Sequence, residues 1–388
     1  MSSIHILRKA FVFSLAILLT AAVFTGCGEK NEKTEDKDTK KTETAGMEDL
    51  RKGKAAYEIE DYHAAAMSFS LAAQDGNAEA QFLLGKCYLD GTGVEQNFDK
   101  AMKWLKMAVD QGVAEAKTII SDYNTRSNLI FENGYIILSG NLKLNLVKVE
   151  AGTFTMSAKD GENSSPKTPH RATLTKDFYI GQTEVTQAQW KAVMGTDPSN
   201  FKGDDLPVEQ VSWNEAMEFC EKLNKSCKAP MGWKFTLPTE TQWEFAARGG
   251  KKSANFQYSG SDGVDNVAWC YENSGDRRLD YWDPPKLTSN HCTPHPVAQK
   301  RANELGLYDM SGNVSEWCLD DMNDDSSKQK AEFTRGNDQG GKKRMRRGGS
   351  WRDVSFWCRS TYRLGSYSNP DNRFKDLGFR VALVPESY

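Results

Sequence analysis

The sequence lacks an excess of charge of either sign, since 50 Lys and Arg face 53 Asp and Glu and the formal net charge is −3. This balance provides no global field that would draw the protein to nucleic acid. No phosphate-binding loop, dinucleotide glycine pattern or Cys-x-x-Cys pair occurs, which disfavours a nucleotide site and a structural zinc site. The 388 residues, of which 38% are hydrophobic, are enough for two or three domains with a sizeable core.

An apolar run lies close to the N-terminus. Arg8 and Lys9 precede it, it covers residues 10–24, and Thr-Gly-Cys follows, ending at Cys27. The run is too short to span a bilayer comfortably. Small residues before a cysteine resemble the lipobox of bacterial lipoproteins. The resemblance implies a signal peptide over residues 1–27, lipidation of Cys27, and a lipoprotein anchored in the bacterial cell envelope, facing the periplasm or the cell surface. An ordinary signal peptide and an N-terminal membrane anchor are the alternatives.

Seven cysteines follow Cys27, and an odd number in an oxidising compartment leaves at least one thiol without an intramolecular partner. Near Cys220, the apolar residues Ala216, Phe219 and Leu223 recur at helical spacing, which predicts that this thiol faces a core. The seven are Cys87, Cys220, Cys227, Cys270, Cys292, Cys318 and Cys358.

The N-terminal third changes from polar to helical. Residues 28–46 are charged and polar, which predicts a disordered tether. Over residues 50–124 a helical, alanine-rich pattern repeats after 36 residues, so that Ala65 matches Ala101. The stretch 84–112, with its Leu-Gly, Gly-x-Gly-Val and Lys-Ala groups, resembles the Sel-like branch of the tetratricopeptide repeats. Such repeats bind partner proteins, and a small packing module is the alternative.

A second region follows a predicted linker. Residues 125–145 contain a short strand-like run and are interpreted as a linker with a possible hairpin, and residues 146–388 as one domain. That domain contains, in order, LPVEQVSWNEAMEFCEKLN, FTLPTETQWEFAARGG, HPVAQKRANELGLYDMSGNVSEW, RRGGSW and LGFRVAL. These blocks resemble the formylglycine-generating enzyme, or sulfatase-modifying factor, family. The resemblance implies an α+β, loop-rich variant of the C-type lectin fold, preceded here by an all-α region of helical hairpins.

Helix boundaries in this domain carry local signals. Thr186 precedes one predicted helix as a cap. Thr239 followed by Gln242 is typical of a capping box, and Gly249 with Gly250 predicts the end of the same helix.

The resemblance also implies structural calcium in two loops, because hard cations take oxygen ligands from carbonyls, amides and carboxylates. The alternative is that these polar residues only bond loop backbone. The first set, in MSGNVSEW, is Gly312, Asn313, Val314 and Glu316; the second, in DNVAW, is Asn266 and Val267, with Asp276 or Asp280 completing the shell.

The enzymes of this family hold copper(I) with two cysteines just beyond Gly-Gly-Ser and oxidise a substrate cysteine to formylglycine. In RRGGSWRDVSFWCRSTYR, Ser350 and Cys358 are in register with the active-site serine and the second cysteine, whereas Asp353 replaces the first cysteine. Copper binding is therefore doubtful, since one thiolate and one carboxylate make a poor copper(I) site. Trp317 and Trp357 match aromatic positions of the substrate cleft, although Trp317 is favoured as a core residue.

Cys358 is either a redox thiol in a cleft or an inert buried one. Arg352, Arg359 and Arg363 would favour its thiolate form, and salt bridges to the DNRFKD loop are the alternative use of these arginines.

Two functions remain open. The favoured one is a non-catalytic, protein-binding or structural relative, because Asp353 replaces the first copper ligand and an anchored repeat protein suits a protein partner. The alternative is an oxidoreductase of the formylglycine-generating type that oxidises a Cys or Ser of a target protein through Cys358.

Overall fold

A computed structural model describes residues 37–157, 169–226, 229–230, 232–321, 343–363 and 369–386, with side chains from Gly46 onward. The predicted signal peptide, Cys27 and Cys227 lie outside these residues. In the described part of the chain, no helix is both long enough and apolar enough to cross a membrane.

Antiparallel helices form the N-terminal region and confirm the predicted repeat. α4 and α5 begin 36 residues after α2 and α3, and the side chains of Asp61 and Asn97 cap α2 and α4 in the same way. Gly76 and Gly112 both end their helices with a positive φ, +89° and +88°, in open space. The helices are α1 (Lys37–Glu58), α2 (Tyr62–Gln74), α3 (Ala78–Asp90), α4 (Phe98–Asp110) and α5 (Ala114–Ser127).

Helix α1 begins inside the predicted tether, so the prediction of disorder up to residue 46 is wrong from Lys37 onward. Three of the ten residues 37–46 are Lys, which has high intrinsic helix propensity, and a polar segment needs no apolar face of its own to continue a helix that packs further along. Packing is already present at Gly46, which is buried against Asp75.

The C-terminal region contains four short helices in its described part, and two of them begin where the sequence predicts. Thr186 and Thr239 are caps in complete capping boxes, with Gln189 and Gln242 as the reciprocal partners. A third box starts the helix that carries Cys220, whose thiol is fully buried as predicted. These helices are α6 (Gln187–Met194), α7 (Trp213–Lys225), α8 (Glu240–Ala247) and α9 (Pro284–Ser289).

Three small sheets accompany the helices. The main sheet has the strand order β1-β2-β5-β10-β6 and is antiparallel, a hairpin joins β3 to β4, and β7 pairs with β8 and with β9. The strands are β1 (Tyr135–Ile137), β2 (Lys143–Val149), β3 (Gly152–Met156), β4 (His170–Leu174), β5 (Phe178–Gly181), β6 (Trp233–Thr236), β7 (Ser315–Asp321), β8 (Arg344–Arg347), β9 (Leu377–Gly378) and β10 (Ala382–Pro385).

The predicted linker belongs to the main sheet. Strand β1 pairs with β2 as the expected hairpin, with Tyr135 opposite Asn145, and β2 continues to β5. Ile136 and Leu144 are buried in the core. The interpretation of residues 125–145 as a linker is therefore wrong, because alternating apolar residues of a hairpin complete the sheet and cover its core.

Apolar clusters pack against the main sheet and the short helices. One contains Trp190, Phe219 and Phe379, whose rings contact each other, and another contains Trp243 and Phe245. Much of the chain between α8 and β7, and again after β8, runs in loops. These loops carry the residues that the sequence singled out.

Candidate functional site

The Gly-Gly-Ser turn follows strand β8 and requires glycine. Gly348 and Gly349 have φ of +93° and +66°, which L side chains rarely adopt. A Cβ on Gly349 would lie 2.8 Å from the Cys358 sulfur and 2.8 Å from the Trp357 carbonyl oxygen. The loop after the turn therefore packs directly on the turn itself.

Ser350 and Asp353 are bonded to each other inside this loop. The Ser350 hydroxyl is fully buried and donates to an Asp353 carboxylate oxygen at 2.7 Å. Burial raises the pKa of Asp353 to about 6, the negative charge of Asp376 adds to the increase, and the Ser350 hydrogen bond opposes it. At the position of the family's first cysteine, the chain thus has a half-buried carboxyl group engaged with serine.

A second loop holds the first in place. The Tyr271 amide donates to the Asp353 carbonyl at 2.8 Å, and the Ser274 hydroxyl donates to the Trp351 carbonyl at 2.6 Å. These bonds satisfy backbone groups that no strand pairs, which gives the loops a defined conformation without regular structure.

Cys358 lies in a buried apolar cluster with Tyr258, Val267 and Cys270. The neighbouring Cys270 thiol and burial together raise the pKa of Cys358 well above its usual value. Cys270 was not among the predicted site residues. The two cysteines are far apart in the chain, and no residue pattern around Cys270 indicates a partner.

The three arginines do not stabilise a Cys358 thiolate, so that expectation is wrong. Arg363 donates to both carboxylate oxygens of Glu240 at 2.5 and 2.7 Å. The Arg352 guanidinium lies 3.8 Å from the carboxylate of Asp376 in the DNRFKD loop. The Arg359 guanidinium lies over the ring of Phe356. Salt bridging, the alternative use, is the arrangement observed for Arg352.

The two tryptophans have different environments. Trp317 is fully buried, and its indole N–H donates to the Val211 carbonyl at 3.0 Å, as expected of a core residue. Trp357 is 38% exposed and stacks on Tyr362. Of the four predicted catalytic residues, three are fully buried and Trp357 is the one that reaches the surface.

The side chains predicted for the first calcium site already have protein partners. Glu316 accepts from the Arg380 guanidinium at 2.6 and 2.7 Å and from the Trp243 indole at 2.8 Å. The Asn313 amide oxygen accepts from the His295 backbone amide at 2.9 Å. These two side chains do not fit a calcium shell, and their contacts are those of the loop-bonding alternative.

Two carboxyl groups near the first predicted calcium site, those of Glu184 and Asp309, are also buried. Glu184 is buried with the Val314 amide as a partner, and burial, with the charges of Asp309 and Glu316, raises its pKa. Burial raises the pKa of Asp309 to about 6, and its Oδ1 has no hydrogen-bond partner among the described residues. Within the described ranges, however, no three His, Cys, Asp or Glu side chains converge as a metal site. The first predicted calcium site, with Gly312, Asn313, Val314 and Glu316 as its residues, stays a prediction.

The residues of the second predicted calcium site also have other partners. The Asn266 amide donates to the Ser261 hydroxyl at 3.2 Å, Val267 is buried in the cluster of Cys358, and Asp276 lies 2.6 Å from His291. Asp280 is exposed. None of these contacts supports a calcium ion, and this site too remains a prediction.

The Asp353→Asn variant is expected to be more stable than the parent protein at pH 8 and equally stable near pH 4. A folded-state pKa of about 6, above the ordinary value of 3.8, means that stability is lost as pH rises through this window. The loss is about 2 to 3 kcal/mol for one carboxyl group. Asn keeps an acceptor for Ser350 without the charge. Thermal unfolding between pH 4 and 8 tests this, with the exposed Asp204→Asn as control; parallel curves for parent and variant would contradict it.

Taken together, the described residues form a loop-rich α+β domain with a buried Gly-Gly-Ser turn, joined to helical repeats. The family model described as "Sulfatase-modifying factor enzyme 1-like domain" matches residues 141–384, and a Sel1 repeat model matches residues 78–113. The chain belongs to the sulfatase-modifying factor family, as the sequence blocks indicated.

Curated relatives include proteins named formylglycine-generating enzymes and proteins named as inactive. Chaperone protein LppX of Paenibacillus barcinonensis is 43% identical over 212 residues, covering 46% of this chain and 73% of that protein. The formylglycine-generating enzyme of Thermomonospora curvata is 30% identical over 211 residues, covering 52% of this chain and 63% of the enzyme, so the chain spans less than two thirds of its length. The inactive Cα-formylglycine-generating enzyme 2 of Mus musculus is 31% identical over 246 residues, covering 61% and 67%.

A solved structure gives the same architecture. Treponema denticola variable protein 1 aligns with a TM-score of 0.51 and 28% identity, covering 64% of this chain and 98% of that protein. The predicted fold class, a loop-rich α+β domain of this family after an all-α repeat region, is confirmed.

Proposed function

We propose that the chain is a non-catalytic member of the family that binds protein partners in the cell envelope, anchored through a lipid on Cys27. The observation that carries this proposal is the pairing of Asp353 with Ser350 at the position of the first copper ligand. Copper(I) prefers soft sulfur donors, and a carboxyl group held by serine is a poor substitute. The similarity to a protein named a chaperone and to one named inactive supports the same function.

The repeat helices offer a surface for a partner. Leu71 on α2 and Met107 on α4 occupy equivalent repeat positions, and both are exposed. Met67, one turn before Leu71, is 59% exposed. Exposed apolar side chains on equivalent helices suit apolar segments of an incompletely folded polypeptide, because burying them removes apolar area from water.

One observation favours the alternative, an oxidoreductase. Cys270 places a second sulfur beside Cys358, and two sulfurs could hold copper(I). Both thiols are fully buried, however, and a substrate cysteine would need an open path to them. The alternative is therefore the second candidate.

The test is suppression of aggregation by the purified full-length chain, with thermally unfolding citrate synthase as a model client and light scattering as the readout. We expect suppression near equimolar ratio. The triple variant Met67→Ser, Leu71→Ser, Met107→Ser should need about tenfold more protein, because it loses three apolar anchors. The matched control is the double variant Gln74→Ser, Lys106→Ser, which changes exposed polar side chains of the same two helices. It should behave as the parent does.

A second arm uses the same protein with copper(I), oxygen and a peptide containing Cys-x-Pro-x-Arg. We expect no loss of thiol mass from the peptide by mass spectrometry. Conversion that disappears in Cys358→Ser would overturn the proposal in favour of the oxidoreductase. Equal suppression by the triple variant and the parent would overturn the assigned surface.

A further inference from the structure

The six cysteines in the described part of the chain are all buried, but they are not distributed alike. Cys270 and Cys358 share one buried cluster, in which two loops of the chain meet. The others lie in four separate clusters: Cys87, Cys220, Cys292 and Cys318.

The surrounding loops hold the two sulfurs next to each other. The Glu272 carboxylate accepts the Ser355 amide with both oxygens at 3.0 Å, two residues from Cys270 and three from Cys358. The Cys270 thiol also lies 3.6 Å from the Asn273 amide oxygen, which orients it within its own loop. Because the two cysteines share one cluster and their loops are bonded to each other, we expect side-chain rotation to bring the sulfurs to bonding geometry.

We infer that Cys270 and Cys358 form a disulfide bond that locks the Gly-Gly-Ser loop to the loop of residues 268–274. The inference is independent of the proposed function, since it requires neither a client protein nor an inactive copper site.

The oxidant is a disulfide of another molecule, either a small-molecule disulfide or an exchange protein. One cysteine thiolate attacks it, forming a mixed disulfide and releasing one external thiol. The second cysteine thiolate then displaces the other external thiol and closes the Cys270–Cys358 bond. Two protein thiols are oxidised, one external disulfide is reduced, and the two protons leave on the released thiols. Because both sulfurs are fully buried, exchange takes place before the loops close or when they open.

The test uses the full-length chain refolded and equilibrated in mixtures of reduced and oxidised glutathione. After acid quenching, denaturation and alkylation, peptide mass spectrometry should find Cys270 and Cys358 in one cross-linked pair, two hydrogens lighter than the free peptides. A strong thiol reductant should lower the melting temperature by about 10 °C, because the bond closes a long loop.

Two variants separate this bond from other effects of the reductant. Cys270→Ser should lose the response of melting temperature to the reductant, whereas Cys87→Ser, in the repeat region, should keep it. The cross-link in the parent protein needs no variant, so a poorly folding Cys270→Ser leaves the test intact. Alkylation of both cysteines at every glutathione ratio would overturn the inference.

Discussion

Arg380→Met is expected to lower the free energy of unfolding of the C-terminal domain by about 3–5 kcal/mol. Arg380 is fully buried, pairs with both oxygens of Glu316, and donates to the Tyr308 carbonyl at 2.9 Å. The carboxyl groups of Glu184 and Asp309 are buried nearby, and the positive charge of Arg380 interacts favourably with both. Without the guanidinium, three carboxyl groups remain in the core and must either protonate or carry uncompensated charge. Urea unfolding followed by tryptophan fluorescence measures the loss.

A matched control is an arginine on the surface. Arg373 pairs with Glu215 at 2.9 Å, with about half of its side chain exposed. Arg373→Met should cost less than about 1 kcal/mol, because water screens exposed pairs. The loss in Arg380→Met should also shrink at low pH, where Glu184 and Asp309 are protonated. Equal losses in the two variants at pH 7 would show that the buried pair does not stabilise the domain.

The repeat and the helix starts could be predicted because their causes are local. The 36-residue period brings alanine to the same buried positions, and each capping box needs residues only three apart. Gly76 and Gly112 end their helices because glycine readily adopts the left-handed conformation that follows a helix terminus. Features of this kind depend on residues that are close in the sequence, and the sequence therefore predicts them.

The pairings at the candidate site could not be predicted in the same way. The sequence block around Glu316 is compatible with a calcium ligand until its partner, Arg380, is located in another block. The role of Cys270 depends on its position beside Cys358, in the same buried cluster. A Cys358 thiolate, one of the two alternatives, is disfavoured because Arg363 pairs with Glu240. Such contacts follow from how loops pack in three dimensions, and residue spacing carries little information about that packing.

Replacing Gly312 by Ala is expected to cost about 3–4 kcal/mol, the sum of a left-handed backbone and a steric overlap. Its φ is +78°, and a Cβ there would overlap the Trp269 carbonyl oxygen and lie 2.9 Å from the carbonyl carbon. The Gly312 amide also donates to the Gly348 carbonyl at 2.8 Å, so a shift at Gly312 would disturb the Gly-Gly-Ser turn. Urea unfolding again gives the free energy.

Gly306 separates the backbone effect from the overlap. Its φ is +85°, but a Cβ there would meet no atom of the described residues within 4 Å beyond its chain neighbours, so Gly306→Ala should cost only about 1 kcal/mol. A difference of about 2 kcal/mol or more between the two variants would assign the excess to the contact with Trp269. That contact joins the loop of Cys270 to the turn beside Cys358. Gly312→Ala should therefore also lower the fraction of protein that contains the Cys270–Cys358 cross-link, whereas Gly306→Ala should leave this fraction unchanged. Similar costs for both variants would mean that the loops adapt, and that the close approach of Gly312 to Trp269 does not hold the site together.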